Sequence, residues 1–230
     1  MTRKGLIAMG VVIAFLALAS CASKPEEALL KRYFNALQLR DVTTLSTMAI
    51  EPVEVDVAGW QILSVTPEKV ETATLPELNK KELALKKKVE DNIGPTMDAK
   101  DALDVAQSEL EAARTGGAKA AAKKKVEEAQ AKYDQQYNLH KQLQKDYNDA
   151  KEAASKEEEI TLFSLGMTQL PQVRDLTGTV HSKEVELKIN DRQGNQKTYR
   201  FYLRRYELKD EATNMNYRGR WVITKIEPIA

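Results

Sequence analysis

The chain contains few of the residues that build reactive or metal-binding sites. Its 230 residues include one cysteine and two histidines. A lone cysteine forms no intramolecular disulfide, and zinc sites need clusters of cysteine and histidine at short spacing, which the sequence lacks. It also lacks a glycine-rich phosphate loop and a serine nucleophile elbow. We therefore expect no catalytic residue, no metal ligand and no bound cofactor, and hence a protein that is not an enzyme.

An excess of charge of one sign is also missing. The sequence has 35 basic and 34 acidic residues, and loss of Arg3 and Lys4 with a cleaved leader of residues 1–20 would leave 33 basic against 34 acidic residues. Proteins that bind nucleic acid normally gather an excess of lysine and arginine on one face. The near-neutral balance therefore argues against a nucleic-acid partner.

An apolar run from Leu6 to Leu18 follows the basic residues Arg3 and Lys4. It is too short to span a bilayer, which needs about 20 residues. The run ends in the tetrapeptide Leu18-Ala19-Ser20-Cys21. A basic start, a short apolar stretch and small residues before a cleavage point are typical of an export signal. The sequence thus predicts a protein that leaves the cytoplasm.

The tetrapeptide resembles the lipobox of bacterial lipoproteins. The resemblance implies cleavage between Ser20 and Cys21 and acylation of the Cys21 thiol, with residues 1–20 as signal peptide and residues 21–25 as lipidated tether. Acyl chains contribute about 0.8 kcal/mol per buried CH₂, so Cys21 would hold the protein at a membrane without a spanning helix. Because Ala22 rather than aspartate follows the cysteine, the expected location in a Gram-negative cell is the periplasmic leaflet of the outer membrane. The alternatives are an ordinary secretory signal with an incidental cysteine and an uncleaved anchor helix.

Residues 77–159 are rich in alanine, lysine, glutamate and glutamine, a composition typical of long helices. Apolar and small residues recur here in alternating steps of three and four, which is the spacing of a heptad seam. Gly94-Pro95 should kink or break the first helix, and Thr115-Gly116-Gly117 should end it and reverse the chain. The seam positions are Leu85, Val89, Asn92, Thr96, Ala99, Leu103, Ala106, Leu110 and Ala113 before the reversal, and Val126, Ala129, Tyr133, Gln136, His140, Leu143, Tyr147, Ala150 and Ala154 after it.

This spacing predicts an antiparallel coiled-coil hairpin, with Leu103 near Tyr133 and Val89 near Tyr147. Each arm of about 35 residues would extend roughly 50 Å at 1.5 Å per residue, so the hairpin would project beyond the domain that carries it. The alternative is a solvated helical linker that pairs with nothing else. A projection of this length favours a role in reaching a partner.

The flanking segments, residues 26–76 and 160–230, have the patterns of a globular α+β domain. We expect an amphipathic helix from Glu26, a break near Arg40-Asp41, and a short second helix capped by Asp41. The expected strands are Val53–Val57, Trp60–Val65, Lys69–Thr74, Val173–Val180, Val185–Ile189, Thr198–Leu208 and Gly219–Pro228, with turns at 181–183 and 191–195 and a polar loop over 209–218.

The run Tyr33-Phe34-Asn35-Ala36-Leu37, followed by Asp41, resembles the opening helix of the nuclear transport factor 2-like superfamily, and Gly219–Ile226 is similar to its last strand. The resemblance covers about residues 26–75 and 170–230. It implies an α+β cone in which N-terminal helices close a curved antiparallel sheet, with residues 77–159 as an insertion. Members include dehydratases, isomerases and cyclases as well as non-enzymatic binding domains, so the fold does not decide the function.

Residues 199–206 alternate between two kinds of side chain. One set should face a core, and the other should share the opposite face of the strand. Arginine and tyrosine are enriched at interface hot spots, so the second set is a candidate partner contact. The alternative is a sheet face covered by the opening helix, with arginines that extend along it to water. The core set is Tyr199, Phe201 and Leu203, and the contact set is Arg200, Tyr202, Arg204 and Tyr206.

These patterns together predict a lipid-anchored cell-envelope protein that acts as a non-catalytic binding or scaffolding component through its hairpin. Its expected partners are the membrane and an envelope protein or a second copy. A small-ligand carrier that uses the cone interior is the first alternative, and an isomerase or dehydratase is the second. Neither histidine suits catalysis, since His140 falls on the seam and His181 in the predicted turn. A cone filled by Trp60, Phe201 and Trp221 would favour the scaffold.

Overall fold

The structure is a computed structural model that describes residues 24–53 and 57–229. Ser20, Cys21 and the centre of the predicted strand Val53–Val57 lie outside these residues. The described chain has a mixed α+β fold in which an antiparallel sheet curls into a half-barrel. Its helices are α1 (Pro25–Leu39), α2 (Val42–Leu45), α3 (Leu75–Ala112) and α4 (Gly116–Leu165), with a 3-10 helix at Val173–Asp175; its strands are β1 (Gly59–Val65), β2 (Lys69–Thr72), β3 (Thr177–Asn190), β4 (Gln196–Asp210), β5 (Met215–Arg218) and β6 (Val222–Ile229).

The sheet is built on the two long strands β3 and β4, which pair along their whole length. Strands β1 and β2 both pair with β3 and form two halves of one edge, while β5 and β6 both pair with β4 at the other edge. Register shifts lie between Ile62 and Ser64 and between Tyr202 and Leu203. Such irregularities increase local twist, which explains why the sheet curls.

The two opening helices have the predicted break and cap. Arg40 adopts a left-handed conformation with φ 56°, which ends α1. Asp41 then caps α2, because its Oδ1 accepts a hydrogen bond from the Thr44 backbone N–H at 3.0 Å. This turn places α1 across one face of the sheet, which we call the inner face.

The core of the inner face is aromatic. Phe34 stacks on Trp60 with 4.8 Å between ring centroids, and both Tyr33 and Phe34 contact Phe201. The expected core set of β4, namely Tyr199, Phe201 and Leu203, is buried against α1. The predicted alternation of buried side chains therefore holds in this part of the strand. The aromatic rings fill the space between α1 and the sheet.

The opposite face, which we call the outer face, is covered by the C-terminal turns of α4. Ile160 from this helix packs in a second core with Val180, Tyr206 and Leu208. The alternative in which the opening helix covers the arginine and tyrosine face is therefore wrong. Aromatic contacts hold α1 on the inner face, and α4, not α1, covers the outer face.

The predicted turn at residues 181–183 is also wrong, because β3 runs unbroken from Thr177 to Asn190. His181 and Ser182 pair with β2 on one side, and His181, Ser182 and Lys183 pair with β4 on the other. Three consecutive polar residues suggested a turn, but two hydrogen-bonded neighbours hold this segment extended. Before the strand, residues 173–175 form the 3-10 helix, and residues 215–218 of the expected polar loop form β5.

Helices α3 and α4 have 38 and 50 residues and contact each other along one side. Residues at the predicted seam positions are buried or half-buried. Asn92 Nδ2 donates to Gln136 Oε1 at 3.1 Å, and Lys125 Nζ donates to Glu109 Oε2 at 2.7 Å. The expected break at Pro95 does not occur, since α3 continues through it. Pro95 is exposed, so water can bind the backbone carbonyl that loses its partner.

Candidate functional site

The four residues of the predicted contact set lie on the outer face of β4 but differ in exposure. Arg200 contacts Glu186 with 2.8 Å between Nη2 and Oε1, and the hydrogen bond from Arg200 holds the pKa of Glu186 below its usual range. The Tyr202 hydroxyl donates to Glu227 Oε2 at 2.8 Å. Tyr206, by contrast, is fully buried. The accessible part of this surface therefore excludes Tyr206.

Glu157 fixes α4 to this strand at the root of the long helices. Its Oε1 accepts a hydrogen bond from the Tyr206 hydroxyl at 2.7 Å, and its Oε2 accepts one from Arg204 Nη1 at 3.0 Å. Burial raises the pKa of the Tyr206 phenol well above its usual value, so the hydroxyl keeps its proton and remains a donor. The carboxylate is buried but has a charged partner and a neutral one, as a buried charge requires.

Two further contacts hold the root of the long helices in place. Arg174, in the 3-10 helix, contacts Glu82 of α3 at 2.6 Å and Glu158 of α4 at 2.7 Å. Ser164, near the end of α4, donates through Oγ to the Arg220 carbonyl at 2.8 Å, and the Arg220 N–H donates to the Ser164 carbonyl at the same distance. Both long helices are thus bound to the sheet domain by polar contacts as well as by the outer core.

A cleft of about 930 Å³ lies between α4 and the outer face, beside Tyr202 and Arg204. Glu152, Lys156 and Glu159 of α4 form one wall. The lining contains five basic and five acidic residues. Because the two signs balance, the net charge of the lining does not select an anion or a cation.

A polar cluster on the inner face was missed by the sequence analysis. His181 Nδ1 lies 2.6 Å from Glu68 Oε1, and Lys183 Nζ lies 3.0 Å from Glu26 Oε2 in the first turn of α1. Arg205 Nη2 lies 3.3 Å from His181 Nδ1. The cluster was missed because residues 181–183 were assigned to a turn. The available signal was that His181 and Lys183 lie four and two residues before the buried Val185, which puts both on the inner face of a strand.

Most groups of this cluster have partners within it, although the buried Nε of Arg205 has none among the described residues. Both ring nitrogens of His181 have a neighbour, Glu68 at Nδ1 and the Thr179 hydroxyl at Nε2 at 3.3 Å. The hydrogen bond with His181 is the main reason why the pKa of Glu68 is below its usual range, and Lys183 adds to it. The Trp221 ring lies 5.4 Å from Lys183 Nζ. This arrangement joins α1, the β1–β2 connection, β3, β4 and the residue before β6, and it fits a structural network better than a proton-transfer site.

The described residues give little basis for a metal site or for catalysis by His140. No group of three or more histidine, cysteine, aspartate or glutamate side chains within residues 24–53 and 57–229 could hold a metal ion. His140 is half-buried on the side of α4 that faces α3 and does not line the cleft on the outer face. None of the helices in these ranges is both long and apolar enough to cross a bilayer.

The outward side of α3 exposes large apolar side chains, interspersed with charged ones such as Lys87, Glu90 and Asp101. Leu83, Ile93, Met97 and Val105 have exposed fractions of 56%, 47%, 60% and 59%. At about 100° of rotation per residue, the four project within an arc of about 120°, on the side of α3 that faces away from α4. We call these four residues the α3 stripe. Exposed apolar side chains that share one side of an element mark an interaction surface more often than isolated ones do.

No protein-family model, no curated protein and no solved structure matches the chain. The function is therefore argued from these surfaces alone.

Proposed function

We propose that this protein is a lipid-anchored, non-catalytic binding or scaffolding component of a bacterial cell envelope. In this proposal Cys21 carries the acyl chains, and residues 26–76 and 160–230 form a nuclear transport factor 2-like cone. Helices α3 and α4 form a coiled-coil hairpin, inserted over residues 77–159, that reaches a protein partner. The α3 stripe is the observation that carries the proposal.

The position of the stripe supports binding at a distance from the sheet domain. Leu83 and Val105 are 22 residues apart, which is about 33 Å along a helix. The root of the helices is fixed by Glu157 and Arg174, so a force or contact at the stripe is transmitted to the domain rather than lost in a flexible joint. A rigid arm that exposes four large apolar side chains among charged ones suits a scaffold.

The inner face supports a scaffold over a carrier that binds within the cone. Phe34, Trp60 and Phe201 fill the space beneath α1 with rings in contact. A ligand there would have to displace these side chains, and the free energy gained by burying their apolar surface would be lost.

A small-ligand carrier remains the second candidate function, and the cleft beside Tyr202 and Arg204 is the observation that favours it. Such a ligand would lie on the outer face, between α4 and the sheet, and not in the cone interior.

The test is site-specific photo-crosslinking in intact cells of the source organism. A photoreactive amino acid at Met97 samples the stripe, and the same amino acid at Lys88, which is exposed on a different side of α3, is the matched control. We expect a discrete crosslinked protein from position 97 and little or none from position 88. Equal products from both positions, or none from either in a folded and membrane-bound protein, would contradict the proposal.

A further inference from the structure

We infer that the segment joining α3 to α4, together with the first turns of α4, binds the headgroups of anionic lipids. We call residues 112–126 the basic tip. This inference goes beyond the proposed function, because it concerns a surface other than the α3 stripe and a partner other than a protein. Only the choice of lipid among anionic partners rests on the proposed function, which puts the chain at a membrane.

Charge is unevenly distributed along residues 77–159. The basic tip has five basic residues and no acidic one, namely Arg114, Lys119, Lys123, Lys124 and Lys125. The rest of residues 77–159 has 11 basic and 18 acidic residues. The near-neutral balance of the whole chain hides this separation. The far end of the long helices is therefore positive, while the part nearer the sheet domain is negative.

The charges of the basic tip are available to a partner. All five basic side chains are exposed. Lys125 is held by Glu109, with 2.7 Å between Nζ and Oε2. No carboxylate among the described residues lies within salt-bridge distance of Arg114, Lys119 or Lys123. At least three positive charges thus have no internal counterpart.

The dipole of α4 adds to the positive potential of the basic tip. The N-terminal end of a helix carries a partial positive charge, so acidic residues are favourable there and basic ones are not. The first turn of α4 contains no acidic residue, and Lys119 follows it directly. This arrangement is unfavourable for the helix itself and favourable for an anionic partner.

The basic tip lacks the side chains that usually bind a folded protein. Protein interfaces have an apolar core with aromatic anchors. In residues 112–126 the apolar residues are alanines and Val126, which is half-buried. Lys119 and Lys123 project on one side of α4, and Lys124 projects about 100° further round, so the charges form a convex cap and not a pocket. Such a contact suits a surface of high charge density without fixed shape, such as anionic lipid headgroups.

The expected binding is weak and depends on salt. Each lysine or arginine near an anionic membrane surface raises the binding constant about fivefold. Acyl chains on Cys21 would already hold the protein near a membrane, and the resulting effective concentration makes a weak second contact sufficient. Lys119 lies about 57 Å along α4 from Glu157, where the helix is fixed to the sheet. The basic tip would therefore attach the arm to lipid at a point far from the acyl chains.

The test is co-sedimentation of the full-length Cys21→Ser protein with lipid vesicles. The substitution removes the site of acylation, so that retention reports the basic tip. The probe vesicles contain equal parts of phosphatidylglycerol and phosphatidylcholine, and the control vesicles contain phosphatidylcholine alone. We expect binding to the anionic vesicles at about 0.1 M NaCl, loss of this binding at about 1 M NaCl, and little binding to the control vesicles.

Two variants with the same change of charge locate the site. Each replaces three exposed lysines by glutamine, which has a similar helix propensity. Each set of three includes one lysine that lies 3.9 Å from a glutamate four residues on. The tip variant is K119Q/K123Q/K124Q, and the control variant is K86Q/K87Q/K88Q.

The tip variant should bind the anionic vesicles roughly 100-fold more weakly than the parent, because it loses three contributions of about fivefold. The control variant should bind within about threefold of the parent, since Lys88 lies about 36 Å along α3 from Ala112, well beyond the screening length. Circular dichroism checks that both variants keep their helices. An unchanged affinity of the tip variant, an equal loss in both variants, or equal binding to both kinds of vesicle would overturn the inference.

Retention by isolated cell envelopes that depends on the basic tip, without binding to phosphatidylglycerol vesicles, would also overturn it, because the partner would then be another polyanion. None of these measurements involves the α3 stripe. Failure of the lipid site would therefore leave the proposed function to be decided by photo-crosslinking at Met97, and failure of the photo-crosslinking would leave the vesicle result unchanged.

Discussion

The bond between Tyr206 and Glu157 is the sharpest test of how the long helices are joined to the domain. We consider Tyr206→Phe, which removes one oxygen atom and leaves the ring and its packing in place. The Tyr206 hydroxyl is fully buried and donates at 2.7 Å to a carboxylate that is 9% exposed. A hydrogen bond to a charged group contributes about 1.5–3 kcal/mol. Glu157 keeps its contact with Arg204 at 3.0 Å, so the remaining charge is still paired and the loss should be about 2 kcal/mol rather than the larger cost of an isolated buried charge.

The free energy of unfolding is measured by urea denaturation of proteins that all carry Cys21→Ser. Tryptophan fluorescence reports the sheet domain, because Trp60 and Trp221 both lie there. For a chain of this size, 2 kcal/mol corresponds to a fall in Tm of about 4–8 °C. Tyr137→Phe is the matched control, since Tyr137 is 44% exposed on α4, and it should change stability by less than about 0.5 kcal/mol.

A double-mutant cycle with Glu157→Gln isolates the bond from other effects of each substitution. We expect a coupling energy of about 1.5–3 kcal/mol between positions 157 and 206. If Tyr206→Phe costs no more than Tyr137→Phe, or if the cycle shows no coupling, then Glu157 does not hold α4 on the sheet and the idea of a rigidly mounted arm fails.

Further predictions concern three single residues. Because the folded-state pKa of Glu68 is lowered, the ionised carboxylate contributes stability above the unfolded pKa of about 4.3, and this contribution is lost as the pH falls through the folded pKa. Urea denaturation should therefore show Glu68→Gln less stable than wild type at pH 7, with the difference closing at lower pH. A difference that stays constant with pH would contradict this. Gly178 has φ 143°, and a Cβ there would lie 2.2 Å from the Glu207 carbonyl oxygen. Gly178→Ala should therefore lower the free energy of unfolding by about 3 kcal/mol. The control Gly117→Ala, at an open helical position, should leave that free energy unchanged or raise it. Cys21→Ser should move the protein from the membrane fraction to the soluble fraction on cell fractionation, and unchanged membrane association would count against acylation.

Local patterns in the sequence predicted local structure well. The three-four spacing in residues 77–159 identified which positions of α3 and α4 are buried or half-buried, because a helix repeats its faces every 3.6 residues whatever surrounds it. The alternation at Tyr199, Phe201 and Leu203 identified the inner face of β4 for the same kind of reason. Asp41 was recognised as a cap because a side-chain oxygen at that position binds a backbone N–H three residues on.

Contacts between distant segments could not be predicted in this way. Residues 181–183 look like a turn until β4 is placed along them and β2 is placed beside His181 and Ser182, since only a hydrogen-bonded ladder makes a polar run extended. The partners of His181 and Lys183, namely Glu68 and Glu26, are more than 100 residues away in the chain. No periodicity relates such positions.

The sequence by itself determined the composition of the long helices and the lipobox-like tetrapeptide, because each depends on residues within a few turns or a few positions of one another. Only the tertiary structure decided which layer covers each face of the sheet. Tyr206 lies on the face that the sequence assigned to a partner, yet α4 returns from its far end to bury it beneath Glu157 and Ile160. A burial of that kind depends on where a 50-residue helix ends in space, which no short stretch of sequence encodes.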